Sequence, residues 1–339
     1  IYEFFHRRIL NRLSNNFRLR SLGVDLLFCP FTAPTYAEPG IPVVSVIFDL
    51  QHIVFPQFLS SREINTRQAF IEDLKKKVDR VVCISEDVRQ SVIKNLKIDI
   101  QRMHVVPICV HSRFLKLEYG KVKQHLIDLH INRHPYMFFP ANFWPHKNHQ
   151  MLLTAFGMFL SQNPSYKIDL VFTGAIEDMA AKLKASAHQM RLGERIHFLG
   201  YLNTDQLSSV WQGCEFLIFP SLYEGFGIPL LEAMFFGKAI LCSNITSLPE
   251  IAQDVALYFD PRKPREIVKC IEQIFKNPGT KDDFVSRGCR RVNDFKLENM
   301  TRKYMDIFKL AIKDPKSLEN RIAGRYEDGW IGKEMIITY

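Results

Sequence analysis

Ten short, continuous apolar runs constrain this chain more than any other feature: VDLLFCP, VVSVIFDL, VVCIS, MHVVPI, YMFFPA, DLVFTG, RIHFLG, FLIFPS, AILCS and ALYFD. Each ends in a polar or glycine-containing turn. Segments with helical spacing separate most of them, among them 62–78, 86–96, 150–162 and 176–192. Uninterrupted apolar strands alternating with helices predict parallel sheets covered on both faces. Ten strands are many for one such sheet in this length, so the spacing predicts an α/β chain of two doubly wound sheets, divided near Gly120–His134. The expected segments are 1–130, 131–298, a final helix over 299–312 that packs back on the first domain, and, over 313–339, a tail or the start of a further segment. The second half supplies six strands. The first supplies four and no early strand followed by a glycine-rich turn, which leads us to expect an incomplete first domain in an excerpt of a longer polypeptide.

Composition narrows the setting. Hydrophobic residues make up 47% and charged residues 24% of the 339, ordinary for a globular protein with sizeable cores. No apolar run approaches the roughly 20 residues of a membrane-spanning helix. The seven cysteines are scattered and form no C-x-x-C pair, so neither a disulfide frame nor a zinc site is predicted, and a cytoplasmic setting is. The net charge of +9 is spread along the chain. Its densest run, LKKKVDR at 74–80, follows an acidic IED and reads as a solvated helix face, not a nucleic-acid patch. A peripheral contact with anionic lipid at the inner face of a membrane stays open.

One stretch looks misplaced. In FPSLYEGFGIPLLEAMFFGKAIL, which runs from Phe219 to Leu241, Glu232 sits in an apolar helix. An unpaired buried carboxylate costs several kcal/mol, on the order of the desolvation penalty of one ion. The stretch reads as a buried strand, a turn with two glycines, and a helix that opens at Gly227 or Ile228 with Pro229 in its first turn. A strand, a glycine turn and a helix N-terminus together make a phosphate site. Glu224 lies just before it. Glu232 lies about 7 to 8 Å along the helix at 1.5 Å per residue, its side chain leaning back toward the N-terminus. Two carboxylates flanking a phosphate serve hydroxyl groups on either side of it, which describes a nucleotide sugar. A lone pair of acids at this spacing would be weak evidence; the complete FPSLYEGFGIPLLEAM is far more specific.

The stretch FPSLYEGFGIPLLEAMFFGKAILCSNITSLPEI resembles the signature of retaining GT-B glycosyltransferases of the family 4 type. The resemblance extends from about Val24 to Ile312 and is strongest in the second half. It implies two Rossmann-like domains facing across a cleft, and sugar transfer from a nucleotide diphosphate sugar with retention of anomeric configuration. It turns Glu224 toward the donor sugar and Glu232 toward the ribose, with backbone N–H groups of Phe226, Gly227 and Ile228 on the diphosphate. In FFPANFWPHKNHQMLL, Lys147 matches the family's lysine that neutralises the departing diphosphate. Where many members carry an arginine shortly before it, this chain has Ala141 and Asn142. Asn142 and Gly174 join the expected donor-binding set. His146 and His149 read as turn and capping residues. In VVSVIFDLQHIVFPQFLS, Asp49 and His52 match the stretch facing donor sugar and acceptor, with Phe48 where many relatives have histidine. Ser85 reads as a helix N-cap, and TSLPEI as scaffold near the donor loop.

The expected function is therefore hexose transfer from GDP-mannose or a UDP-sugar to a saccharide or lipid-linked saccharide in surface polysaccharide synthesis. The catalytic candidates are Lys147, Glu224, Asp49 and His52. No Asp-x-Asp occurs, so the expected chemistry needs no metal or other cofactor; the nucleotide sugar is a substrate. A dehydrogenase would share the doubly wound sheet but needs a G-x-G-x-x-G after an early strand, and none is present. A catalytically impaired GT-B module serving as scaffold stays open, as does the same GT-B fold acting as a sugar-nucleotide epimerase.

Overall fold

The computed structural model describes residues 19–109, 114–175 and 178–313, so the tail beyond Lys313 lies outside the described residues. The chain divides into two compact units. One takes the residues up to Val106 and those from Thr301 on; the other is Pro107–Met300.

The first unit holds four parallel strands, β1 (Leu27–Cys29), β2 (Val43–Ile47), β3 (Arg80–Cys83) and β4 (Met103–Val105), lying side by side in chain order. All five β2 residues are buried, which is why its sequence is apolar without alternation. Helix Ser61–Lys77 opens with a capping box in which Ser60 and Glu63 exchange hydrogen bonds. Helix Glu86–Leu96 is capped by Ser85, whose hydroxyl accepts from the Val88 N–H at 3.1 Å, as expected. From Thr301 the last helix, Leu297–Lys313, clusters with this unit, and Tyr304 and Phe308 pack edge-on against Phe28 at 5.3 and 5.2 Å.

The second unit holds six parallel strands: β5 (Tyr136–Pro140), β6 (Asp169–Thr173), β7 (Ile196–Phe198), β8 (Phe216–Phe219), β9 (Ala239–Ser243) and β10 (Ala256–Phe259). Their order across the sheet is β10-β9-β8-β5-β6-β7. The chain builds outward from β5 in one direction, then returns to β5's other side and builds outward again. The order reverses between β5 and β8, paired at Met137↔Phe216 and Phe138↔Leu217. Loops leaving the carboxyl ends of those two strands therefore diverge and leave a crevice, the usual ligand position of an open α/β sheet.

The division falls between Val106 and Pro107, ahead of the boundary expected at 130. Helix Tyr119–Asp128 belongs to the second unit because it docks on helix Thr204–Gly213. Gln212 exchanges hydrogen bonds with the Leu117 backbone at 2.7 and 3.0 Å, and His125 meets Ser209 at 2.8 Å. At the amino ends of β6 and β7, buried Asp169 receives Arg195 at 2.7 Å, His197 at 2.9 Å and His134 at 3.2 Å. Burial pushes its carboxyl up, but His197 and Arg195 win and hold it below the usual aspartate value. Among the described residues no helix is long and apolar enough to cross a membrane.

The core beneath the crevice is aromatic. Phe139, Phe143 and Phe172 surround the His149 ring at 4.6, 4.6 and 5.3 Å. His149 opens helix His149–Gln162, is only 4% exposed, and makes no capping bond. Burial, reinforced by nearby Lys147 and opposed by a hydrogen bond to the Ala141 backbone, pushes this imidazole down to about 3. A folded-state value below the unfolded one means the unfolded chain binds more protons, so this stabilisation is complete above the unfolded value near 6.5 and is lost as pH falls toward 3. Between about pH 7 and about pH 5 this amounts to roughly 2 kcal/mol. Denaturant unfolding across that range should show a shallower pH dependence in His149→Phe than in the wild type. Equal slopes would show that His149 does not carry it.

Candidate functional site

The two loops that leave the reversal point bring together residues far apart in the chain. After β5, the chain runs through a tight turn over Pro145–Lys147, and Asn148, in the left-handed region with φ 65°, redirects it into helix His149–Gln162. The Asn148 amide pins the turn by donating to the carbonyls of Pro220 at 3.1 Å and Pro261 at 2.8 Å. His146 is buried, and its carbonyl accepts from the Leu222 N–H at 2.7 Å. These bonds fix the β5 loop against the β8 loop.

Lys147 is thereby held against Glu224, Nζ to Oε1 2.6 Å, with side chains 14% and 12% exposed. The ammonium also lies 5.6 Å from the Phe219 ring centroid. Glu224 is anchored from behind, since Ser247 Oγ donates to its carbonyl at 3.0 Å. An exposed lysine–glutamate pair contributes little; one withdrawn from water to this degree is held there by the loops that carry it.

Past Glu224 the chain turns through Gly227, with φ 93°, and enters helix Ile228–Phe235 with Pro229 in the first turn. The positive φ requires glycine at position 227, and a Cβ there would also lie 2.5 Å from the Leu248 Cδ2 methyl, which would have to shift. Phe226 is buried and packs edge-on against Phe295 at 5.9 Å, which fixes the turn. Among the described residues, the N–H groups of Phe226, Gly227 and Ile228 find no acceptor within the protein. Three free donors at a helix start, with a lysine one loop away, are suited to an anion.

The same loops wall a cavity of about 450 Å³ in which Asn142, Gly174, Ile228 and Glu232 converge, a size typical of small-ligand sites. Glu232 is 8% exposed and lines this space, so the acid that looked misplaced in an apolar helix borders an opening of mixed polar and apolar lining. Asn142 braces the wall, its Oδ1 accepting from the Ala175 N–H at 3.0 Å. Gly174 has φ 137°, and a Cβ there would lie 2.5 Å from the Ala141 carbonyl oxygen. Exposed Tyr201 stands at the rim.

The structure thus groups eight of the ten expected residues on the two loops, the adjoining helix and this cavity. Asp49 and His52 lie in the first unit. There Asp49 pairs with Arg67 at 3.1 Å and accepts from the Gln51 N–H at 2.9 Å. His146 lies in the turn, as expected, beside the Trp144 ring, whereas buried His149 packs among phenylalanine rings and makes no capping bond. Sequence reasoning missed Asn148, Ser247 and Arg67. A polar residue between the lysine and the helix start was the one available signal for Asn148; the others become visible only through contacts distant in the chain.

Comparison with known proteins bears on the family and the fold. Residues 124–291 match the family described as glycosyl transferases group 1. The O-antigen chain mannosyltransferase B of Escherichia coli is 23% identical over 273 residues, 79% of this chain and 70% of that protein. Two serotype-specific mannosyltransferases of the same organism are much longer, and the chain spans only 26% and 25% of their lengths. Among solved structures, a glycosyltransferase from Rickettsia africae ESF-5 superposes with a TM-score of 0.71 at 17% identity, covering 91% of this chain and 80% of that one. Anabaena Alr3699/HepE, solved with UDP and glucose, gives 0.69 at 16% identity, covering 80% and 72%. With two parallel-sheet Rossmann-like units as well, residues 124–291 carry the group 1 glycosyltransferase segment and the chain has a GT-B fold.

Proposed function

We propose that the chain is a retaining, metal-independent hexosyltransferase that takes its sugar from a nucleoside diphosphate sugar, GDP-mannose or a UDP-sugar, and passes it to a saccharide or lipid-linked saccharide of a surface polysaccharide. The observation that carries this reading is the Lys147–Glu224 contact beside three unpartnered N–H groups at the sheet's reversal point. The names of the mannosyltransferase relatives favour mannose.

In this reading the diphosphate lies on the N–H groups of Phe226, Gly227 and Ile228. A diphosphate carries more charge than one carboxylate, so it draws Lys147 away from Glu224. Released, Glu224 accepts hydrogen bonds from the donor sugar's hydroxyls, and Glu232 does the same for the ribose within its cavity. Asp49 and His52 serve the sugar side of the reaction. During transfer the bond from the anomeric carbon to the phosphate oxygen breaks, and the bond from that carbon to the acceptor oxygen forms on the same face. The acceptor's proton passes to the leaving phosphate oxygen. Lys147 and the helix start stabilise the negative charge that develops there, in an environment where fixed donors act strongly.

Lys147→Ala should lower kcat at least a hundredfold, about 2.7 kcal/mol of transition-state stabilisation. Wild-type transfer should persist in excess chelator. Both are read by product formation over a panel of nucleotide sugars, and undiminished turnover in the variant would remove Lys147 from the chemistry. Glu232→Gln should weaken binding of the matching nucleoside diphosphate by roughly tenfold, the value of one charge-assisted hydrogen bond, while leaving pyrophosphate binding unchanged. Calorimetry with the two ligands separates these outcomes, and equal losses for both would contradict the ribose assignment.

A further inference from the structure

The basic run LKKKVDR at 74–80, which the sequence presents as a solvated helix face, lines a hollow of about 430 Å³ in the first unit. Lys75, Lys76 and Lys77 close helix Ser61–Lys77, Arg80 opens β3, and Arg102 directly precedes β4. Lysines in a last helical turn complement the helix dipole and need no other reason. The two arginines are not explained that way, because they come from other elements. Five cationic side chains thus meet two carboxylates, Asp79 and Asp99, around one concave space. Like charges gathered in this way repel one another, and a counter-anion relieves them.

Backbone groups hold the walls in place. Arg102 donates from Nη2 to the Val78 carbonyl and from Nε to the Asp79 carbonyl at 3.4 Å, and Arg80 Nη1 donates to the same Asp79 carbonyl at 3.1 Å. Neutral carbonyls fix a guanidinium without cancelling its charge. The two acids are turned to backbone N–H groups, Asp79 to that of Val43 at 2.7 Å and Asp99 to that of Gln101 at 3.0 Å. Among the described residues Lys76 makes no ion pair. Lys75 and Lys77 pair with Glu72 and Asp73 on their own helix, each at 3.0 Å. Exposed pairs of that kind contribute little and yield readily to a stronger anion. Val43, Arg80 and Met103 begin β2, β3 and β4, so the hollow lies at the amino ends of these strands. Asp49 and His52 follow the carboxyl end of β2 and take no part in it.

These walls describe their ligand. Two guanidinium forks and three ammonium groups suit an anion with several oxygens and more than one negative charge, which is phosphate chemistry rather than that of a single carboxylate. A second hollow of about 400 Å³ shares Lys76, Lys77 and Asp79 and is walled by residues 37–42, which gives room for more than one phosphate. Glu38 on that wall is turned to the N–H groups of Leu19 and Arg20 at 2.8 and 3.3 Å. We propose that the hollow at the amino ends of β2, β3 and β4 binds a phosphate-bearing polyanion, at a site separate from the donor cavity and from every catalytic candidate. The headgroups of an anionic lipid surface and a soluble polyphosphate both present this chemistry. The site goes beyond the transferase reading and does not depend on it.

The test uses the full chain with saturating GDP or UDP present, and two probes. Inorganic tripolyphosphate is followed by calorimetry, and vesicles of phosphatidylcholine with or without phosphatidylglycerol are followed by co-sedimentation. The wild type should bind tripolyphosphate, the phosphatidylglycerol vesicles or both, and the arm that responds identifies the source. The double variant Lys76→Glu/Lys77→Glu should weaken that binding about tenfold, in line with the contribution of basic residues at an anionic surface. Arg102→Gln should weaken it as well, and Lys76→Arg should retain it. Lys309→Glu, which reverses an exposed lysine on the last helix, should leave it unchanged and so separates a site from general attraction to a basic chain. Circular dichroism establishes that each variant is folded. Absence of binding to either probe by the wild type overturns the site. Undiminished binding in the folded double variant, or an equal loss in Lys309→Glu, overturns it too, while the transferase reading stands.

Discussion

The contact between Lys147 and Glu224 depends on the whole second unit, and the reading of the site depends on that contact. The residues are 77 positions apart. They meet only because β5 and β8 are neighbours at the reversal of the sheet and because Asn148 ties the β5 loop to the carbonyls of Pro220 and Pro261. Each charge alone would be costly where it sits; together they are tolerated. Such a pair is poised: it is satisfied without ligand, yet an arriving group of higher negative charge can exchange partners with it while three N–H groups complete the anion's coordination. In the proposed reading Glu224 then takes new donors from sugar hydroxyls.

The glycines and aromatics around the pair make the exchange local. Gly227 and Gly174 allow close approach where a side chain would collide with Leu248 or with the Ala141 carbonyl. The ring cluster of Phe139, Phe143, Phe172 and His149 beneath the β5 loop fixes its floor. A rigid floor with donors already aimed lowers the reorganisation required when charge develops on the leaving group.

Much of this was legible in the sequence. All ten apolar runs became strands, because strands buried on both faces leave continuous apolar sequence. Glu232 was legible because a carboxylate in an apolar helix demands a reason, and the glycine turn before it supplied one. The partners of these residues were not legible. Nothing local in PANFWPHKNH states that its lysine meets Glu224, since that follows from strand order. Arg67 lies on helix Ser61–Lys77 and reaches Asp49 only through the packing of that helix against the segment Gln51–Val54. The boundary expected at 130 fell too late for the same reason: helix Tyr119–Asp128 is amphipathic wherever it docks, and its docking on Thr204–Gly213 is decided by contacts about 84 positions away. Position at a helix start makes His149 read as a capping residue, whereas burial among aromatic rings decides its state.

The central claim is that a nucleoside diphosphate opens the Lys147–Glu224 pair and takes the lysine. A crystal structure of the chain with GDP or UDP, whichever binds in calorimetry, tests it directly. The account predicts phosphate oxygens within hydrogen-bond distance of Lys147 Nζ and of the N–H groups of Phe226, Gly227 and Ile228, with Glu224 turned away from the lysine. A nucleotide bound elsewhere, with Lys147 still on Glu224, would contradict it.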